Sequence, residues 1–319
     1  MQSPSTTQPE PANEMIVVGG EALVDLVIDP DGSVTAKLGG GPFNSARAIG
    51  RLGSDVAFLG ALSHDRFGTL LHRQLLHDAV DDSLVQFTDM PTTLASAELD
   101  EHGAATYHFY LTETAAPNLH PLTLPTGVRV LHVGTLGLVL EPMASTLETI
   151  VNSCDDDVLV LLDPNCRPRV TSDRLGYTTR LQRMLRRADV VKVSTDDLEF
   201  IAPGDHDAAV RMMLEYGAHV VLHTDGGRSV HVHWATAEIE VPVPAVEVVD
   251  TIGAGDAFGG AFAAWWDQAG LGRRDLDDGS AVRAAVAAAV EVAAVSCTRV
   301  GAQPPRRDEL GDRWRPTGS

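Results

Sequence analysis

Asp250-Thr251-Ile252-Gly253-Ala254-Gly255-Asp256-Ala257-Phe258 is the stretch on which the fold turns. An apolar approach through Val246, Val248 and Val249 leads into Gly253-Ala254-Gly255, and Asp256 then opens a long Ala-rich segment. Two glycines let the backbone turn so that successive N–H groups converge on one spot. A helix that follows adds the positive end of its dipole. Gly253, Ala254 and Gly255 thus read as an anion hole. A carboxylate beside a bound polyanion is electrostatically costly unless it has a task. For Asp256 that task is to take a proton from a hydroxyl that attacks phosphorus. The same nine residues also suit a plain helix N-terminus whose Asp serves the dipole.

Other phosphate motifs do not fit. Walker A needs a lysine after its glycines, and the chain's two lysines, Lys37 and Lys192, follow none. The dinucleotide fingerprint fails because Gly253 and Gly255 are followed by Phe258, and Gly39 and Gly41 by Asn44.

Composition narrows the classes. The 319 residues suit one large α/β domain with an accessory element, and 44% apolar content supports a real core. A net charge of −20 argues against a nucleic-acid or anionic-membrane surface. Positive potential for an anionic substrate must then be local. Cys154, Cys166 and Cys297 are odd in number and lack metal spacing, which fits a reducing, cytoplasmic compartment. The Ala-rich run from Val282 to Ser296 is too short for a membrane span and carries Arg283 and Glu291. Residues 1–14, rich in Pro, Ser and Thr, read as a disordered tail without signal-peptide character. The domain is expected over 15–305, with a loose tail over 306–319.

Short β-branched runs alternate with helical stretches. Strands are expected at Met15–Gly19, Ala57–Leu62, Val130–Thr135, Val158–Asp163, Val190–Ser194 and Val220–Thr224. Helices are expected near Pro42–Leu52, Phe67–Ala79, Pro142–Cys154, Leu175–Ala188 and Ala208–Tyr216. Continuously apolar strands with helices between them predict a parallel sheet covered on both faces. Two stretches break the rhythm. Leu26–Leu38 is strand-like around Asp29-Pro30-Asp31-Gly32, and Thr92–Thr112 alternates around the hairpin signal Asp100-Glu101-His102-Gly103. Alternation sets Tyr107 and Phe109 on one face of that hairpin and His108 and Tyr110 on the other. Ligands on open α/β sheets bind beyond the strands' carboxyl ends, so strands inserted there make a lid that excludes water.

The glycine–aspartate stretch resembles the C-terminal signature of the ribokinase-like sugar kinases, the phosphofructokinase-B family. The run from Gly39-Gly40-Gly41-Pro42-Phe43-Asn44 to Gly53 resembles that family's N-terminal signature. Gly60 through Gly68, with Ser63 replacing one glycine, and Thr298-Arg299-Val300-Gly301-Ala302 resemble two further elements. The order agrees and the likeness covers about 15–305. It implies a three-layer α/β/α sandwich with a mostly parallel central sheet and a small β-sheet lid.

The resemblance also assigns candidate roles. Asp25, closing Gly20-Glu21-Ala22-Leu23-Val24-Asp25 at a strand end, can accept two sugar hydroxyls, and an acid there binds the acceptor in the resembling family. Gly40, Gly41 and Asn44 would complete the sugar site, as would Glu141 at another strand end. A local helix or turn role is open for each of Asp25, Asn44 and Glu141. Asp163-Pro164-Asn165-Cys166-Arg167 resembles an element of fructokinase-like and ketodeoxygluconate-kinase-like relatives, and Arg167 can clamp a phosphate with its planar donor fork; an Arg167–Asp163 ion pair is the alternative. Lys192 falls on the nucleotide side, and Ser194-x-x-Asp197 stands where relatives carry Asn-x-x-Glu near Mg²⁺. Thr224, Gly226 and Gly227 resemble the nucleotide turn, with Gly301 and Ala302 beside the adenine. Asp250, with backbone carbonyls of Ile252 and the 298–302 loop, would hold K⁺.

The expected activity is ATP-dependent phosphorylation of the primary hydroxyl of a monosaccharide, with Mg²⁺ and with fructose as the favoured acceptor. Leu23 replaces an Asn of ribokinases, and Asp163-Pro164-Asn165 points the same way. Ketodeoxygluconate kinase, ribokinase and nucleoside kinase are the alternatives, and a non-catalytic sugar-binding regulator is the rival of another class. No nucleic acid or membrane partner is expected, and a homodimer through the lid is.

Overall fold

In strand β1 (Met15–Gly19), Ile16 and Val18 pack into one hydrophobic cluster and Val17 into another. The same division recurs in Val190 against Val191 and in Val220 against Val221. Strands apolar on both sides must be covered on both sides, and a three-layer core follows.

The computed structural model describes residues 14–99 and 105–316. The hairpin signal at Asp100-Glu101-His102-Gly103 and the tail expected at residues 1–14, Glu14 apart, lie outside them. Among the described residues, β1 sits inside a nine-stranded sheet. Its parallel part comprises β5 (Val85–Thr88), β4 (Val56–Ser63), β1, β8 (Val128–Gly134), β9 (Leu159–Asp163), β10 (Val190–Ser194) and β11 (Val220–Thr224), in that spatial order. Two antiparallel strands, β12 (Ser229–His233) and β13 (Glu238–Pro242), extend the β11 edge. The spacing of His231 and His233 reads as a half-exposed strand, which β12 is; the sequence pattern anticipated neither β13 nor β5.

Helices α3 (Met143–Ser153), α4 (Arg174–Leu185), α5 (Thr195–Ile201) and α6 (His206–Tyr216) cover one face. The other carries α1 (Gly41–Leu52), α2 (Arg66–His77), α7 (Ala254–Gln268) and α8 (Gly279–Cys297). Helix α7 lies against α1 because Gly260 has no side chain: a Cβ there would meet Ser45 O at 2.7 Å. Helix α8, at 19 residues and a mean hydropathy of 1.6, is long and apolar enough to cross a membrane, which corrects the sequence expectation. It packs on α7, and 56% of its most apolar window is buried.

A second, four-stranded sheet runs β3 (Val34–Gly39), β2 (Leu23–Ile28), β6 (Leu94–Leu99), β7 (Ala105–Tyr110). The two strand-only insertions therefore meet in one sheet, through a parallel β2–β6 pairing. Phe109 packs toward the core, whereas Tyr107, His108 and Tyr110 are exposed.

The C-terminal segment is not loose. Helix α9 (Arg307–Leu310) forms, Leu310 and Trp314 are buried at 2% and 4%, and the Trp314 indole donates to Gln268 Oε1 at 3.0 Å. Two large apolar side chains four residues apart anchor the segment to the core, which extends the domain beyond 305.

Candidate active site

The parallel strands end together at Gly19, Ser63, Gly134, Asp163, Ser194 and Thr224, and α7 begins at the same edge. Gly253 caps α7 in the left-handed region, φ 76° and ψ 3°. A Cβ at Gly253 would stand 2.5 Å from Ala302 Cβ, so glycine is needed here on both counts. Ala254 N–H donates to Thr251 O at 3.2 Å, which takes it out of the expected anion hole. Among the described residues, the Gly255 and Asp256 amides have no backbone acceptor.

Asp256 lies in that first turn, half-buried. Its Oδ2 accepts from Asn44 Nδ2 at 2.9 Å, and its backbone carbonyl accepts from Ser45 Oγ at 3.0 Å. Burial raises its pKa, against the Asn44 hydrogen bond and the nearby Lys192 and Arg167 charges. Asn44 Oδ1 is buried without a hydrogen-bond partner among the described residues, so it is left to accept a ligand hydroxyl.

The glycines of α1 make this approach close. A Cβ at Gly41 would lie 2.6 Å from Thr135 Cγ2 and 3.3 Å from Asp256 Oδ1. Gly40, at φ 109°, has Glu21 O 2.6 Å from the position of a Cβ. A Cβ at Gly39 would fall 2.3 Å from Asp25 Oδ2. Asp25 stands on β2 opposite Lys37 of β3. Burial and the Asp256 charge push its pKa up to about 6, with Arg167 and Lys37 opposing.

Sequence reasoning missed Glu21. This buried acid accepts from Gly41 N at 3.1 Å and from the Thr135 hydroxyl, and burial pushes its pKa up to about 7. It ties the α1 turn to the end of β8. A polar residue inside an otherwise apolar strand-end segment was the available signal.

Lys192 sits under α7. Its Nζ would be 3.0 Å from a Cβ on Gly255 and donates to Asp163 Oδ2 at 3.1 Å, with both side chains buried. Burial works against the ammonium, but Asp163, Asp197 and Asp256 hold its pKa up. Arg167 therefore does not pair with Asp163. It is exposed, donates to Asn165 Oδ1 at 2.5 Å, and lies near enough to Glu21, Asp25 and Asp256 to lower their pKa values.

Other expected residues lie elsewhere or are engaged. Glu141 is exposed and pairs with Arg180. Burial notwithstanding, Ser145 and that guanidinium hold its carboxyl below the usual range. Among the described residues its partners are Ser145 and Arg180 rather than the Asp256 cluster, because its place just before α3 turns it toward α4. Asp197 is 3% exposed. It forms a capping box with Ser194 and accepts from Cys166 N at 2.6 Å, so both oxygens are committed and the Mg²⁺-shell role does not fit. Asp250 accepts from Ile252 N at 3.0 Å and Gly301 N at 2.8 Å, with Lys37 Nζ 4.0 Å away. Among the described residues, no three His, Cys, Asp or Glu side chains come together as a metal site.

On the nucleotide side, Thr224 ends β11 and its hydroxyl donates to Val193 O at 3.3 Å. Gly226 has φ 55°, and among the described residues no atom lies within 4 Å of a Cβ built at Gly226 or Gly227, so this turn is open to a ligand. Gly301 and Ala302 lie against Asp250 and Gly253 respectively, beside the Asp256 turn.

The model of the family described as pfkB family carbohydrate kinase matches residues 13–309. A fructokinase of Rhizobium leguminosarum bv. trifolii is 35% identical over 253 residues, covering 76% of this chain and 77% of that protein. A fructokinase from Xylella fastidiosa, solved with bound ATP, superposes with a TM-score of 0.86 at 27% identity, over 94% of this chain and 97% of that one. A Vibrio cholerae O395 fructokinase solved with fructose, ADP and a calcium ion gives 0.84 at 27% identity, over 95% and 99%.

Proposed function

The chain belongs to the pfkB family of carbohydrate kinases and is a sugar kinase; on that premise we propose that it transfers the γ-phosphoryl group of ATP to the primary hydroxyl of fructose. The observation that carries the reading is Asp256, set in the first turn of α7 between Asn44 and the buried Lys192.

Asp25 and the free Asn44 Oδ1 accept sugar hydroxyls and turn the primary hydroxyl toward Asp256. Asp256 takes the proton as the sugar oxygen attacks phosphorus in line. The Gly255 and Asp256 amides, with Lys192 below them, hold the negative charge that develops on the transferring group. Arg167, exposed at the rim, clamps phosphate. ATP lies over the Thr224–Gly227 turn and the Gly301–Ala302 loop. Mg²⁺, carried on the ATP phosphates, would offset their charge. The outer edges of the β3-β2-β6-β7 lid, with Val34 and Tyr110 exposed, would join a second copy.

Support for fructose comes from the relatives and from the Asp163-Pro164-Asn165-Cys166-Arg167 element. Leu23, 5% exposed, is a core residue and carries less of that argument than the sequence suggested. One observation favours a second acceptor. Arg169 donates to Tyr107 O at 3.1 Å, which brings a cation to the lid, and an acidic sugar such as ketodeoxygluconate would need a cation. A coupled ADP-release screen over fructose, ribose, ketodeoxygluconate, tagatose and nucleosides tests the reading. The highest kcat/KM is expected with fructose, and a tenfold preference for another acceptor overturns it.

A further inference from the structure

Away from the catalytic edge, the end of α1 and the C-terminal segment enclose an open cavity of about 640 Å³. Its walls carry Arg51, Arg306, Arg307 and Arg315 against two acids, Asp308 and Asp312, in a chain whose net charge is −20. The acids leave cations over. Asp312 is taken by Arg315. Arg51 and Arg306 share the fully buried Asp78 at 3.0 and 3.4 Å, and Arg47 takes that carboxylate's other oxygen at 2.8 Å. Arg51 Nε is buried with no hydrogen-bond partner, and Arg307 has no carboxylate within 4.0 Å, among the described residues. Guanidinium groups crowded together with unspent donors form a receptor for a multivalent oxyanion.

We propose that this pocket binds a phosphorylated small molecule, held by Arg307 and Arg315 at the mouth and by Arg51 at the floor. The cavity has the size of a metabolite site, not of a macromolecular surface. The ion-pair network beneath it also reaches the active site: Arg47 donates to Ala302 O at 3.1 Å, and Ala302 packs against Gly253.

Calorimetric titration of the full chain with inorganic pyrophosphate, in metal-free buffer, tests this. The wild type should bind, and Arg307→Gln should bind about tenfold or more weakly, the usual loss for a charge-assisted hydrogen bond. Arg307 is exposed and lies outside the catalytic constellation, so the variant should keep the wild-type kcat and thermal midpoint. Arg315→Gln should weaken binding as well. A fluorescence change on titration should vanish in Trp314→Phe, because Trp314 lines the cavity. No binding to the wild type at millimolar pyrophosphate, or equal affinity in both arginine variants, overturns the site. Equal affinity for citrate overturns the phosphate assignment.

Discussion

Asp256→Asn separates a chemical role from a structural one. The carboxamide keeps an oxygen to accept the 2.9 Å hydrogen bond from Asn44, so the α1–α7 contact survives. What it loses is basicity. Removing a general base costs about 10²–10⁴-fold in kcat, or roughly 3–5 kcal/mol of transition-state stabilisation. The effect on stability should have the opposite sign. Burial raises the Asp256 pKa above its ordinary 3.8. A carboxyl raised in the folded state favours folding only while protonated; that contribution is complete below the unfolded pKa and is lost as pH rises through the folded one. At neutral pH the charged Asp256 is therefore a burden on the fold, and Asn removes it. The assay pairs steady-state ADP release, with both substrates varied, with thermal denaturation. Expected are a collapse of kcat, KM values within a few-fold of wild type, and a thermal midpoint unchanged or higher. A variant with more than half the wild-type kcat would refute the base assignment. Loss of activity together with a lower midpoint would refute the electrostatic argument.

Three further substitutions probe neighbouring parts of the site. Asp25→Ala should raise the sugar KM about 10–150-fold and the ATP KM far less, the loss expected for a charged acceptor; equal effects in a two-substrate kinetic matrix would mean a folding role. Glu21→Gln should flatten the dependence of the thermal midpoint on acidity. The rise of Glu21 from 4.5 to about 7 corresponds to roughly 3 kcal/mol that the wild type holds below pH 4.5 and loses by pH 7, so an unchanged slope in the variant would sink the idea. Asp197→Ala should lower stability by about 1–3 kcal/mol in denaturant titrations, through the lost cap and the orphaned Cys166 amide, and leave the Mg·ATP KM within about twofold. A large rise in that KM would restore Asp197 to the metal shell.

What could be read from the chain depended on how local each constraint was. Gly40 and Gly253 are demanded by their own backbone angles, and these two together with Gly41 by neighbours crowding the Cβ position, so their spacing carried the site openly. Ser194-x-x-Asp197 was equally local: a serine followed three residues later by an acid spells a capping box, and the likeness to a metal motif hid it. Leu310 and Trp314, four apart, likewise signalled an anchored C-terminus. Glu141 was not decidable in the same way. An acid in the first turn of a helix looks the same whether it faces a sugar or, as here, Arg180 from α4. Glu21 was hidden by distance, since its partners lie 20 and 114 residues along the chain.

Lys192 stands between these extremes. Strand β10 reads Val190-Val191-Lys192-Val193, and alternation sets Lys192 on the face of Val190, toward α7. A buried ammonium among valines is expensive without a partner. The register supplies one: Val190 pairs with Leu161 and Val191 with Leu162, so the next step brings Lys192 to Asp163. One pairing decision thus turns an implausible strand lysine into half of a buried ion pair. Yet Asp163 Oδ1 has no hydrogen-bond partner among the described residues, so the pair is not a closed structural unit. The position of Nζ beneath Gly255 gives the rest of the reason under the proposed mechanism, because there the charge lies under the amides that would face the transferring phosphoryl group. A lysine kept for stability alone would be better replaced, with its aspartate, by apolar residues. Its place at the floor of the α7 N-terminus is instead where, in the proposed reaction, a fixed positive charge would lower the energy of phosphoryl transfer.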